Sequence, residues 1–432
     1  MESNLASLPR DEGQVQIDTE ELEDQFRCSI HKVPKNLRKV NEEAYTPLII
    51  AIGPYHHGKV ELADMEEHKM RYKEEFNDRF GQDKQKEFKK YIRDNESQIR
   101  RYYADPSNLS SANFVKMILL DSVFIIELFL TYQLRDRSDF LLEKVWLGPL
   151  RRDLQLLENQ LPYFVLEELY ILACLSANQV EKLHPPFRTL SCAFFDLHLL
   201  HNISPPDREI KVKHFTDLCR RALVGIHQMG SVGTINRRMK EVPNAVKLQK
   251  SGVKFTPLSV ELGNYLVDVH LEKRKGRILS FSNAVEMRIP CLYVNDDTEC
   301  LIRNVMALEQ CYYPSETYVC SYIELMDYLI ENEEDVDFLA DKGIIYNNVG
   351  SDAAIAEMIN KLCRQIPQSS LHSDIYKDLI RHYGNRWNHA RATLKRVYFS
   401  NPWRSTATVV AVILLLLTLT QTVFSILQLL LA

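Results

Sequence analysis

The sequence predicts a mainly α protein: a helical domain with a small antiparallel β element and a C-terminal transmembrane helix. Three observations carry that prediction. Apolar residues recur at i, i+3 and i+4 over much of the chain, the spacing of helices that bury one face. The β-branched segments "NYLVDVHL", "GRILSF" and "AVEMRI", separated by turn-like "EKRKG" and "SN", cluster between about 253 and 294. Finally, Ser405 to Ala432 carries no charge at all.

Composition narrows the function classes. The net charge of -5 over 432 residues argues against a general nucleic-acid grip. Nine cysteines are scattered with no C-x-x-C, which fits neither a zinc ribbon nor a disulfide framework. Reduced, mostly buried thiols in a chain folded in the cytosol are expected. Only 14 glycines are present, leaving little material for a phosphate-binding loop.

Taken in order, Met1–Phe26 has eight acids and one Arg, so residues 1–27 read as a disordered acidic tail with no signal peptide. "TPLIIAI" (46–52) reads as a short strand or extended segment ending at the Gly53-Pro54 turn. From about Leu62 to Tyr103 the pattern is helical, with Leu62, Met65, Tyr72, Phe76 and Phe80 on one stripe and Gly81 as a break. "NFVKMILLDSVFIIELFLTYQL" (113–134) is apolar on most sides, yet Lys116, Asp121 and Glu127 disfavour insertion in a membrane. It is expected to be a core helix in which the Asp121 carboxylate finds a partner.

In "RRDLQLLENQLPYFVLEELY" (151–170), Pro162 interrupts the helix ladder. The Asn159 and Gln160 amides are placed to satisfy the freed backbone groups. Residues 229–245 read as a loop and 253–294 as the small sheet. Asp296 and Glu299 have the spacing of a capping box. Gly350-Ser351-Asp352 reads as a loop and helix cap, with no Lys in P-loop position.

The uncharged stretch from Ser405 exceeds what the roughly 30 Å hydrocarbon core requires at about 1.5 Å per residue. Its flank is basic: Lys377, Arg381, Arg386, Arg391, Lys395, Arg396 and Arg404 oppose the single acid Asp378. Trp387, Tyr398, Phe399 and Trp403 suit the headgroup zone. The charge bias predicts a single-pass C-terminal anchor in the plasma membrane or an endomembrane, with the large domain cytosolic and the basic flank near anionic lipid. The triplets at Asn95, Asn108 and Asn202 are glycosylation acceptors in the opposite orientation.

"IAIGPYHHGK" (50–59) poses the main chemical question. One reading makes His56, His57 and His68 metal ligands, aided by Asp64, Glu66 or Glu67, in a membrane-bound metal-dependent enzyme. Against it, neighbouring residues such as His56 and His57 point apart, and no H-E-x-x-H or positioned nucleophile accompanies them. The preferred reading is a structural corner or partner-binding loop formed by Gly53, Pro54, Tyr55, His56, His57 and Gly58. No catalytic residue, cofactor or resident metal is expected.

The chain resembles the plant family known as domain of unknown function 247. The motifs that carry the resemblance are "VPKNLR" (33–38), "YTPLIIAIGPYHHGK" (45–59), "LLDSVFIIELF" (119–129) and "DLQLLENQLPYFVLEELY" (153–170). Further along stand "SGVKF" (251–255), "NDDTECLIRNVMALEQC" (295–311), "GSD" (350–352) and "YFSNPW" (398–403). The resemblance implies a helical domain over 28–400, a membrane helix over 405–432 and no established enzymatic activity. Some grass members are proposed as pollen-side determinants of self-incompatibility. A membrane-anchored, non-enzymatic plant protein for protein recognition or signalling is the resulting expectation, its protein partner and oligomeric state unspecified.

Overall fold

The computed structural model describes residues 28–134, 139–175, 185–197, 211–225, 242–258, 265–274, 284–367, 369–398 and 402–431. The acidic tail 1–27 and most of the loop expected at 229–245 lie outside the described residues.

In chain order the helices begin with α1 Lys35–Arg38, α2 Asp64–Phe80, α3 Gln82–Asp94, α4 Glu96–Arg101 and α5 Ser111–Leu134. They continue with α6 Lys144–Gln155, α7 Tyr163–Leu175, α8 Phe187–Phe194, α9 Phe215–Val224 and α10 Ala245–Lys250. After the strands come α11 Thr298–Tyr312, α12 Tyr318–Leu329, α13 Glu333–Asp341 and α14 Asp352–Leu362. The last are α15 Ser373–Gly384, α16 Arg386–Tyr398 and α17 Pro402–Leu431. The strands are β1 Lys254–Leu258, β2 His270–Arg274, β3 Ala284–Pro290, β4 Leu292–Val294 and β5 Ile345–Asn347.

Contacts divide the chain into two units: Met1–Val232 with Val260–Val267 and Asn295–Cys320, and the remainder. In the first unit, α5 is the central helix. It is apolar on most sides and buried from Phe114 to Thr131, apart from exposed Lys116 and half-buried Leu120, with Asp121 and Glu127 buried inside it. α2 lays Met65, Lys69, Tyr72 and Phe76 along a buried stripe, with Tyr72 against Phe124 of α5 at 5.1 Å between ring centroids. Gly81 adopts φ +85° and ends α2, as its sequence position predicts, and α3 returns Phe88 to within 5.4 Å of Phe76. Phe129, Phe187, Phe194, Phe195, Phe215 and Tyr163 form an aromatic cluster around the C-terminal half of α5.

The second unit holds the small sheets. The expected antiparallel element is a mixed sheet in the order β1-β3-β2. β2 pairs antiparallel with β3, but β1 runs parallel to β3, with Phe255 opposite Met287. The long connection from β1 to β3 permits the crossover that a parallel pair requires. β4 and β5 form a separate parallel pair. Capping fixes the neighbouring helices: Asn332 and Asp335 form a reciprocal capping box on α13, and Ser351 caps α14 as expected.

The capping box expected at Asp296 and Glu299 is not formed. α11 starts later, after Asp297, which makes no side-chain cap. Asn295 takes the turn instead, accepting from the Asp297 backbone and the Thr298 hydroxyl, while Glu299 accepts from Asn41 and Arg303.

All nine cysteines are free thiols; Cys219, Cys291, Cys300 and Cys320 are buried and the others half-buried.

Candidate functional site

The segment before the histidine loop, expected as a strand or extended stretch, belongs to no strand and bends at Thr46, Leu48 and Ile49. From Ile50 to Gly53 it is buried, so the backbone groups there need partners, while Leu48 is exposed and Ile49 half-buried. Side chains from α5, from α6 and from the connection after α6 supply them. Asp153, near the C-terminal end of α6, accepts from the N–H groups of Leu48, Ile49 and Ile50 at 2.9, 2.7 and 3.0 Å. Asn159 accepts from Ile52 at 2.7 Å and donates to the Ile50 carbonyl at 3.0 Å. Asp121 of α5 accepts from Gly53 at 2.9 Å.

Lys69 closes this clasp. Its ammonium donates to the Ala51 carbonyl at 2.6 Å and to Asp121 and Glu66 at 2.7 Å each. Burial works against the Lys69 charge, but the Asp121 and Glu66 carboxylates outweigh it and hold its pKa above the ordinary lysine value. Asp121 thus has its partner, and a buried cation has its counter-ions. Burial pushes the Asp153 carboxyl up, against the pull of the three backbone N–H groups.

The "ENQ" triplet is structural throughout. Gln160 donates to the carbonyls of Leu154 and Leu156 at 2.7 and 2.8 Å, and its oxygen accepts from Phe215 N–H at 2.8 Å. These are carbonyls left open where α6 ends before Pro162, as the sequence predicts. Glu158 accepts from Val33 N–H at 2.6 Å and pairs with Arg38 at 2.7 Å.

Gly53, at φ +70°, marks the corner. A Cβ there would stand 2.5 Å from the Gln160 carbonyl oxygen, so the position excludes every other residue on two counts. Gly58 has φ +79° with open space around it. Between them the loop divides. Gly53 and His56 are buried, Pro54 and Tyr55 half-buried, and His57 through Val60 exposed. The Tyr55 hydroxyl donates to the Ile30 carbonyl at 3.2 Å and accepts from Asp105 N–H at 3.1 Å. Burial pushes its pKa up to about 12.

The sequence-predicted metal candidates are not brought together. His56 is buried 3.6 Å from Glu158, beyond hydrogen-bond length, and both its ring nitrogens lack a hydrogen-bond partner. Burial and the positive charges of Lys59, Arg38 and Lys32 lower its pKa to about 3, so the ring is neutral. His57 is exposed, and His68 packs on the Phe140 ring at 4.6 Å. Among the described residues no three His, Cys, Asp or Glu side chains are grouped to hold a metal ion.

At the other end of the sequence, Thr406–Gln428 of α17 has a mean hydropathy of 2.4 and is unburied along its length. Arg391 and Arg396 are exposed on α16, and Trp403 is exposed at the start of α17. Lys395 and Arg404 fall within the same two helices.

Sequence reasoning missed two members of the clasp. Lys69 had a legible signal: a lysine four residues after Met65 and three before Tyr72 interrupts an otherwise apolar stripe. Asp153 had a weaker one, an acid flanked by the leucines of "RRDLQLL".

Fold and site define a mainly helical body that clasps a histidine-bearing corner with buried side chains, followed by an apolar helix of membrane-spanning length. The chain belongs to the family described as plant protein of unknown function, domain of unknown function 247, which matches residues 30–417. It is 28% identical to UPF0481 protein At3g47200 of Arabidopsis thaliana, over 93% of this chain and 87% of that protein. To the putative UPF0481 protein At3g02645, also of Arabidopsis thaliana, it is 22% identical over 91% of this chain and 89% of the relative. No solved structure matches it.

Proposed function

We propose that this chain is a membrane-anchored, non-enzymatic plant protein whose folded body serves protein recognition or signalling, of which self-incompatibility-type self-recognition is one form. The observation that carries the anchoring is the apolar helix Thr406–Gln428, unburied along its length in a chain that buries its other long apolar helix, α5. The basic α16 before it supports a cytosolic body at the plasma membrane or an endomembrane.

The non-enzymatic reading is supported by what the buried polar groups do. Asp121, Lys69, Asp153, Asn159 and Gln160 are each engaged with backbone or with one another. The exposed half of the loop, His57 to Val60, offers a recognition edge held by that clasp. The rival, a metal-dependent enzyme at His56 and His57, requires ligands to converge on one ion, and His56 and His57 face buried and exposed surroundings respectively.

Fractionation of plant cells tests the anchor. The full chain is expected in the membrane pellet after an alkaline wash, and a chain lacking Pro402–Leu431 in the soluble fraction. A wash that releases the full chain contradicts the reading. Metal analysis of the purified full chain tests the rival: stoichiometric metal that is lost in His56→Ala or His57→Ala would establish it.

A further inference from the structure

α16 is amphipathic in an inverted sense. Its inward face is polar or small: Asn388 donates to the His382 carbonyl at 2.9 Å, and His389 donates to that of Tyr383 at 2.8 Å. Ala392 approaches Gly252, where an added Cβ would lie 3.4 Å away. The opposite face is apolar and turned to solvent. Trp387, Ala390, Leu394 and Val397 follow i, i+3, i+7 and i+10 spacing and are all exposed, Trp387 by 73%.

Arg386 and Arg391 flank this stripe, one on each side, while Arg396 follows Ala392 by four residues and falls on the opposite face. Arg386, Arg391 and Arg396 are exposed, and none forms an ion pair among the described residues. The basic residues of α15 differ: Lys377 pairs with Asp374 at 2.9 Å and Arg381 with Asp378 at 3.0 Å. Of these two helices before the span, α16 is the one whose exposed arginines are free to meet an outside anion. α16 ends at Tyr398, eight residues before the apolar span opens at Thr406.

We infer that α16 lies in the plane of the membrane surface, with Trp387, Leu394 and Val397 in the headgroup–acyl boundary and Arg386 and Arg391, on either side of them, on anionic lipid. An exposed apolar stripe flanked by cations, on a helix with a polar opposite face, has the composition of an interfacial helix. A soluble helix would turn that stripe inward. The occupant follows from continuity with the span and from charge complementarity to anionic headgroups. The body is then held against the bilayer by two elements, one crossing it and one lying on it.

This inference rests on the anchoring reading above, and one experiment separates them. The full chain is reconstituted in vesicles of phosphatidylcholine, with or without phosphatidylserine, and bromine-labelled lipids quench tryptophan. Trp146→Phe with Trp403→Phe leaves Trp387 as reporter; Trp146→Phe with Trp387→Phe leaves Trp403. Circular dichroism confirms that each variant is folded. Trp387 is expected to be shielded from acrylamide and quenched by bromine near the lipid carbonyls, more strongly with phosphatidylserine. Changing Arg386 and Arg391 to Gln is expected to abolish the phosphatidylserine dependence. Acrylamide-accessible Trp387 with quenched Trp403 overturns the interfacial helix and leaves the anchor standing. Trp387 shielded from both quenchers means a protein covers the stripe, which also overturns it. If Trp403 is unquenched as well, the anchor reading falls with it.

Discussion

At the scale of single residues, Gly53 and Gly58 look alike in sequence but differ in what surrounds them. Both occupy positive φ, where a side chain costs about 1 kcal/mol or more. Only Gly53 also faces a backbone oxygen at close range. Gly58→Ala is expected to lower stability by about 1 kcal/mol and Gly53→Ala by several, read by urea denaturation of the full chain in detergent micelles. Equal effects would contradict the clasped corner. Lys69→Met strands the Asp121 carboxylate and is expected to cost about 3–5 kcal/mol, part of which Asp121→Asn in the same chain restores.

Titration gives a further test at this scale. Burial lowers the pKa of His56 to about 3 and of His214 to about 4, while an unfolded histidine titrates near 6.5. The unfolded state therefore takes up these protons first, so stability falls as pH falls from about 6.5 towards 4. The loss approaches 1.4 kcal/mol per histidine per pH unit, as an order of magnitude. Denaturation midpoints at pH 7 and pH 5 are expected to converge partly in His56→Gln. His214 also shows a residue role that sequence leaves hidden. Its ring nitrogens accept from Asp217 N–H and donate to the Ser29 carbonyl, capping α9 in place of a Ser or Asp.

At the scale of elements, residues 46–53 form no strand: bends at Thr46, Leu48 and Ile49 turn three successive N–H groups onto the one Asp153 carboxylate, which an alternating strand would not allow. The apolar run and the Gly-Pro corner are legible in the sequence; the bends are not. Nor is the Asp153 partner, because the contact joins residues some hundred positions apart. Asp153→Ala is expected to leave the N–H groups of Leu48, Ile49 and Ile50 unpaired, at a cost of about 1–3 kcal/mol for that of buried Ile50 and less for the other two, which water can reach. Hydrogen exchange is expected to accelerate at those amides before the rest of the unit responds; a uniform acceleration would mean that Asp153 supports the core generally. Helix α5 was readable because three charges inside an apolar run oppose membrane insertion. The direction of β1 was not, since short β-branched segments carry no information on whether neighbours run parallel. The start of α11 moved because Asn295, one residue before the expected cap, forms the turn first.

At the scale of the whole molecule, the family resemblance and the mainly helical class were accessible from motifs and periodicity, and the match over residues 30–417 establishes the family. The division into two units was not, because the chain enters each unit more than once. The outward stripe of α16 also needed coordinates: helical spacing shows that an apolar face exists but not which way it points. The most direct measurement of the central claim, a cytosolic body on a membrane anchor, is topology in plant cells. Asn108 is the informative acceptor because it is exposed, whereas the Asn95 amide is half-buried and donates to the Tyr91 carbonyl. The account predicts an unglycosylated chain whose body is cut by protease added to intact, cytosol-side-out membranes. A glycan on Asn108, with the body protected until the membrane is dissolved, would contradict it.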